Sequence, residues 1–471
     1  MTNSVRKNLV WIAIDKFGLI FLSLISFSIY AIYLEPSELG KAALFSSIPA
    51  LVALIFMSSF ETPLLKYKTI NNGQLSTVFW GIGVFAFCLY LINSVISFYI
   101  LEDRSDFYLY VFSSSIIIFS LLSRPFVAKL RTQRNFKSLA KRAVFGKVAG
   151  MGVGSYFAIA GFGELAVISQ NVIQELFSFI FLFLPNMAFI HKKFDINFMK
   201  DIIVKGAPMC VRAVSYSLIL RCLPIAIGIF AGTAVLGYFN FANRIVSIVR
   251  DSIFAGADSY VVPVLSSRTG NKTEFNEMLL KVYHHVTLLV LPLFTGLMCL
   301  ADVMVVTLFG DKWINSVYLI QLLALASIIR LLYLFSTASL IAYGEQKKLS
   351  TWDLCSSAIV LLLSILSLKY LSIEYVLYIL IGHYFILGIL LKKAIKELTG
   401  IPYHMFFNNV KVIVASAFVM SICVIMIKPL LTAQLAFISL PFVGAVVYLL
   451  FIFIVDKQSL IKLIKTLSKK T

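Results

Sequence analysis

The chain has 471 residues, 60% of them hydrophobic and 13% charged, with repeated apolar runs of the roughly 18 residues or more that a helix needs to cross a bilayer. That composition excludes an ordinary soluble domain, and runs such as SIIIFSLL and VVYLLFIFIV lack the alternation of a β-barrel, the other arrangement that spans lipid. The formal net charge of +19 does not point to nucleic acid, because Lys and Arg concentrate in every second inter-helix loop, the asymmetry that orients a membrane protein.

In chain order, about fourteen segments read as spans: 9–34, 41–64, 76–101, 107–128, 143–161, 164–190, 206–231, 236–263, 282–308, 316–342, 353–371, 374–391, 405–427 and 434–455. The short connections at 161–164 and 371–374 are the weakest divisions. The first span has a basic start, but its apolar stretch is too long for a signal peptide and no small-residue cleavage site follows, so a retained helix is expected. Loops on the N-terminal side carry Lys66 and Lys68, the six cations of KLRTQRNFKSLAKR (129–142), Lys192, Lys193, Lys200 and Lys205, and further clusters up to Lys411. Opposite loops hold Lys41, Arg104, Lys312, Lys369 and Lys428 and little else, so an even number of spans with both termini cytoplasmic is expected. The tail DKQSLIKLIKTLSKK reads as an amphipathic helix on the anionic inner leaflet.

An internal repeat is also expected. Sliding the chain by 197 residues places SELGKAALFSSI (37–48) over AVLGYFNFANRI (234–245), each with a Leu-Gly turn between its first two helices. The same offset sets Asp15 opposite Arg212 and Glu61 opposite Asp258. The expected organisation is an N-terminal lobe (1–190), a linker (191–205), a second six-helix lobe (206–400), and two further helices with the tail (401–471).

Charge inside the spans carries the chemistry. At about 100° per residue, Asn240, Arg244, Ser247, Asp251 and Asp258 share one face of the eighth span, whereas the corresponding positions of the second span are Ala43, Ser47, Ala50, Leu54 and Glu61. Other charges at membrane depth are Asp15, Lys16, Arg124, Lys147, Glu175, Arg212, Arg221, Arg250 and Arg330. Such groups normally face a bundle interior or a watery cavity. Cations outnumber carboxylates, which suits an anion, and guanidinium forks match phosphate oxygens bidentately. Structural salt bridges are the other reading for Asp15 with Lys16 or Arg250 with Asp251, and Arg124, Lys147 and Arg212 lie close enough to one face to snorkel. Arg221 and Arg330 are too deep for that, and Pro224 offers a kink that would re-aim Arg221.

The six cysteines, Cys88, Cys210, Cys222, Cys299, Cys355 and Cys423, fall in apolar segments without ligand spacing, so buried free thiols are expected, with no disulfide framework and no metal site. The chain has no phosphate-binding GxxxxGK[ST] loop, HExxH or GxSxG, and its five histidines are scattered. No cofactor is indicated, and an enzyme reading is weak.

The first helix followed by YLEPSELGKAALFSSIPALVALIF, QLSTVFWGIGVFAFCLYLI and SRPFVAKLRTQRNFKSLAKRAVFGKVAGMGVG resembles the Wzx-type polysaccharide transporters of the multidrug/oligosaccharidyl-lipid/polysaccharide (MOP) superfamily. The likeness is strongest over 1–190; RIVSIVRDSIFAGADSYVVPVLSS continues it. The resemblance implies an all-α membrane protein with two pseudo-symmetric six-helix lobes around a central cationic cavity and two extra helices. It further implies flipping of an undecaprenyl-diphosphate-linked oligosaccharide from the cytoplasmic to the periplasmic leaflet of the bacterial inner membrane by alternating access. Depth and helix face assign Arg124, Arg221, Arg244 and Arg330, with Arg250 and Arg212, to the diphosphate. Asp15, Asp251, Asp258, Glu61 and Glu175 are left for proton or sodium coupling or for charge pairing. A glycan polymerase and chain-length proteins are further expected partners. A drug or cation antiporter of the same superfamily would want a cavity of carboxylates and aromatics, and a membrane glycan polymerase would want large outer loops, which are short here.

Overall fold

A computed structural model describes the backbone of residues 3–67 and 70–455, and among these every regular element is a helix. The expected amphipathic tail lies outside the described residues. Helices α1 (Asn3–Tyr33), α2 (Pro36–Leu64), α3 (Asn72–Ile100), α4 (Arg104–Leu122), α5 (Arg124–Thr132), α6 (Phe136–Ile159) and α7 (Glu164–Asn186) are followed by α8 (Ile196–Ser217), a π-helical turn (Leu218–Cys222) and α9 (Leu223–Phe230). Then come α10 (Thr233–Ser266), α11 (Lys272–Phe309), α12 (Val317–Ala342), α13 (Gln346–Tyr370), α14 (Ile373–Thr399), α15 (Tyr403–Ile427) and α16 (Ala433–Val455).

Local chemistry sets several of these boundaries. Reciprocal capping boxes start α2 (Glu35 with Glu38) and α3 (Asn71 with Gln74), each satisfying amides that the first turn leaves open. The division at 161–164 is a turn in which Gly161 and Gly163 adopt positive φ, and the one at 371–374 is a break around Leu371 and Ser372 ahead of α14.

Among the described residues, ten helical segments are long and apolar enough to cross a membrane by length and composition, so the chain is a multi-pass membrane protein. The other expected spans fall in α1, α6, α8–α9 and α10. Of these, α6 carries Lys137, Lys141, Arg142 and Lys147, α10 carries Arg244, Arg250 and Asp251, and the π turn splits the α8–α9 rod, all of which lower or interrupt an apolar window.

The chain divides into two compact units, residues 1–237 and 238–471. In the first, α8 packs along α2 closely enough that a Cβ at Gly206 would stand 2.1 Å from the Ser59 carbonyl oxygen. Phe60, Leu64, Val78, Ile82, Ile117, Leu121, Met199 and Ile202 form a core between α2, α3, α4 and α8. Helix α6 lies on α7 through Gly146, Gly150 and Gly154, the close backbone approach that substitutes in lipid for a hydrophobic drive. The two Leu-Gly pairs lie in the opening turns of α2 and α10 and not in turns between helices, and they meet inside this unit: a Cβ at Gly40 would stand 1.7 Å from Thr233 O, and one at Gly237 would stand 1.8 Å from Pro36 O. Gly40 and Gly237, like Pro36 and Thr233, are related by the offset of the sequence repeat, so the contact is reciprocal.

The second unit is anchored by Trp313, fully buried and stacked on Phe241 with ring centroids 4.2 Å apart, while Phe309 meets Phe241 edge-on. Helix α12 packs against α11 and α14, and α15 and α16 lie against α11, where the Tyr448 hydroxyl donates to Leu288 O at 2.7 Å.

The cysteines correct the sequence expectation in part. All six are free, but none is buried: Cys88 and Cys355 are exposed and the other four are half-buried. A bilayer presents an apolar surround to an outward face, so apolar sequence context does not distinguish core from lipid-facing positions.

Candidate functional site

In the first unit the charges assemble around Glu61, which is only 6% exposed near the end of α2. Arg124 at the start of α5 reaches its Oε2 with Nη1 at 3.3 Å, and Arg131, two turns further along the same face of α5, pairs with Oε1. Arg124 also donates from Nε to Ser120 O at 3.0 Å, and the Ser120 hydroxyl donates to Glu175 Oε2 on α7 at 3.1 Å. Glu61, Arg124 and Glu175, singled out separately in the sequence, thus form one network through α2, α4, α5 and α7. Arg124 is engaged by a carboxylate here, whereas the Arg131 side chain keeps about half its surface exposed (51%).

At the other end of α2, Lys41 bridges Asp106 on α4 and Glu164 on α7, the latter at 3.2 Å. Near the Lys-rich end of α8, Asp201 accepts from Lys205 Nζ at 2.6 Å and from the Tyr67 hydroxyl at 3.0 Å. The Lys205 ammonium holds the Asp201 carboxyl below its usual range, and the carboxylate in turn raises Lys205.

Arg221 sits in the π turn between α8 and α9, half-buried. The wider turn re-registers the helix at the depth where the sequence anticipates a kink from Pro224, which occupies the first turn of α9. Such π insertions are rare and recur at functional positions. The Arg212 side chain lies outside the described residues, as do those of Asp15 and Asp258.

In the second unit, Arg250 Nε donates to Asp251 Oδ1 at 3.2 Å, and Arg244, two turns earlier, lies within the field of the same carboxylate. The Asp251 side chain is 64% exposed. The Asn240 amide Nδ2 is buried without a hydrogen-bond partner, an open donor on the face that carries Arg244. On α12, the Arg330 guanidinium stands over the Tyr384 ring of α14 at 5.6 Å and within electrostatic reach of Asp353 and His383. Sequence reasoning did not single out Asp353, and it read His383 as a helix-end or packing residue. His383 is an isolated polar residue in an apolar helix, the signal that singled out Arg330, whereas Asp353 sits in the polar opening turns of α13 (QKKLSTWD) and carries no such signal. Among the described residues no group of three or more His, Cys, Asp or Glu side chains is placed to hold a metal ion.

These features define a polytopic helical membrane protein with buried, cation-led polar sites. Residues 29–318 match the family of polysaccharide biosynthesis proteins, and the chain belongs to that family; its likeness to Wzx-type members of the MOP superfamily stands. It is 24% identical over 365 residues to the teichuronic acid biosynthesis protein TuaB of Bacillus subtilis (strain 168), covering 75% of this chain and 74% of that one. It is 20% identical over 332 residues to the succinoglycan biosynthesis transport protein ExoT of Rhizobium meliloti (strain 1021), covering 69% and 66%. The fold is that of the lipid II flippase MurJ in an inward closed conformation, with a TM-score of 0.77 at 18% identity over 95% of this chain and 98% of that one. A multidrug resistance MATE transporter of the MOP superfamily in an inward-facing conformation aligns with a TM-score of 0.60 at 14% identity, over 83% and 99%.

Proposed function

We propose that this protein is a flippase that carries an undecaprenyl-diphosphate-linked oligosaccharide, a repeat unit of O-antigen, capsule or exopolysaccharide, from the cytoplasmic to the periplasmic leaflet of the bacterial inner membrane, with both termini cytoplasmic. The carrying observation is Arg221, the one charged residue of the run 214–230, placed where a π turn interrupts it. A permanent cation at that depth is expensive unless it serves an anion or a watery space. Family membership and relatives named for polysaccharide biosynthesis and transport support the same reading.

In this reading Arg221, Arg244 and Arg330 neutralise the diphosphate, because an unpaired anion in hydrocarbon is prohibitive. Sugars occupy polar surroundings, the prenyl tail stays in lipid, and the site is exposed to the two faces in turn. Arg250 is a weaker candidate, since Asp251 already engages it, and Arg124 weaker still, since Glu61 holds it. Asp251 is the exposed carboxylate best placed to follow a proton or sodium ion.

The test substitutes Arg221 and Arg330 separately with Ala and Lys, verifies membrane expression, and follows surface polysaccharide in a strain lacking the native gene. Loss with Ala and partial rescue with Lys is expected. Unchanged polysaccharide in all four variants, or altered drug susceptibility with surface glycan intact, would overturn the reading.

A further inference from the structure

Two hollows adjoin on the first unit. One, of about 470 Å³, has an almost wholly apolar lining that includes Phe56 and Phe60 of α2, Trp80 and Val84 of α3, and Met199 and Ala207 of α8. The other, of about 590 Å³, is polar and is lined by Asn71, Gln74, Thr77, Lys193 and Asp195. Phe194 lines both, so an apolar slot and a polar cup meet at one ring. The Trp80 indole N–H, at the rim, donates to His191 O at 3.2 Å and fixes that edge.

Lys193 and Asp195 balance in the lining itself, and the surplus of positive charge lies in the stretch of chain beside the cup. Lys193 lines it, and Lys192 and Lys200 are exposed on the same short stretch of chain. Asp195 keeps its charge while accepting from the Asn197 and Phe198 amides at 2.9 and 3.1 Å, and Asp201 is paired with Lys205, which leaves Lys192, Lys193 and Lys200 against the single carboxylate of Asp195. We propose that these hollows form a binding site for an anionic phospholipid of the leaflet facing the Lys-rich loops, one acyl chain lying in the slot and the phosphate resting in the cup at Lys193.

The chemistry selects this occupant over its rivals. A soluble phosphate leaves the slot empty, and a zwitterionic lipid forfeits the field of the lysines, which attracts anionic headgroups at a membrane surface. A second copy of the chain would bring its own lysines to the same place and be repelled. The slot and cup are lined wholly by residues of the first unit, and none of the arginines assigned to transport is among them.

The experiment is native mass spectrometry of the full-length protein extracted from membranes and supplemented in turn with phosphatidylglycerol, phosphatidylcholine, undecaprenyl phosphate and glycerol 3-phosphate. The variants are Ala207→Trp, which fills the slot, and Lys193→Glu, which reverses the cup; both positions are exposed. Ile454→Trp on α16, an exposed position that lines neither hollow, is the control. Retained phosphatidylglycerol should fall about tenfold in each variant and not in the control, with phosphatidylcholine retained as poorly by the wild type. Equal retention of both phospholipids, or no loss in either variant, would overturn the proposal. So would displacement of phosphatidylglycerol by undecaprenyl phosphate, which would make the slot a prenyl site, or by glycerol 3-phosphate alone, which would make the cup a phosphate site. The readout is lipid occupancy, so it stands or falls separately from polysaccharide export.

Discussion

Along α2, the face of Ala43, Ser47, Ala50 and Leu54 is small or apolar and ends in Glu61, whereas along α10 the corresponding register carries Asn240, Arg244, Ser247 and Asp251. The difference extends to how charge is handled. Glu61 is buried and held by two arginines, while Asp251 is mostly exposed and pairs with Arg250. Halves that share a repeat can therefore divide labour: α2 spends its one deep charge on fixing α2, α4, α5 and α7 together, and α10 keeps polar groups accessible. A charge that is buried and fully paired marks architecture, and an accessible charge at the same depth marks chemistry.

Breaking Glu61 should have the largest effect on stability. Removing one member of a buried ion pair leaves the other uncompensated, which costs about 3–5 kcal/mol. Glu61→Ala should therefore lower the thermal midpoint of the detergent-solubilised protein and its membrane yield, and adding Arg124→Ala should recover part of the loss. Asp251→Ala should cost less than about 0.5 kcal/mol, as expected at an exposed pair, while lowering export. Equal stability losses at the two acids would erase the contrast between the helices.

The reciprocal glycine contact gives a test of the repeat itself. A methyl at Gly40 or Gly237 would overlap a backbone oxygen, which cannot swing aside as a side chain can. Overpacking of this kind costs about 1–3 kcal/mol, with Gly40→Ala and Gly237→Ala expected to match each other in lost thermal stability. A large effect at one and none at the other would mean that only one turn is held tightly.

Much of this architecture is legible in the sequence, for identifiable reasons. Hydropathy gives the helices, because the bilayer enforces length and internal hydrogen bonding. The Leu-Gly pairs reveal the offset at which Gly40 and Gly237 meet. Ion pairing was less legible: Arg124 and Glu61 lie 63 positions apart, a distance that no helical periodicity encodes, and Arg131 was absorbed into a basic loop explained by topology. Pro224 signals a break near Arg221, but the π turn itself lies just before the proline, in residues of ordinary helical character. Asp353 gives no signal because it lies in the polar opening turns of α13, whereas His383, isolated in an apolar helix, reads equally as a packing residue until Arg330 is found beside it.

Surface pairs should lie at the low end of the scale. Lys41 joins α2 to α4 and α7 with all three side chains less than a third exposed, so Lys41→Met should cost no more than about 1 kcal/mol, read from the same thermal midpoint. The Asp201–Lys205 pair is more exposed still, and its signature is pH dependence. Because the Asp201 carboxyl is held below its usual value, its contribution is present above about pH 4 and is lost as pH falls through the depressed value. Lys205 is raised, so its contribution is complete below about pH 10 and disappears as pH rises through the raised value. The difference in midpoint between wild type and Asp201→Asn should therefore be small, flat between those limits, and shrink at both ends. High salt should shrink it across the whole range, because exposed charges are screened. A difference independent of both pH and salt would assign the role of Asp201 to the Tyr67 hydrogen bond instead, and α8 would then be anchored at this end without help from charge.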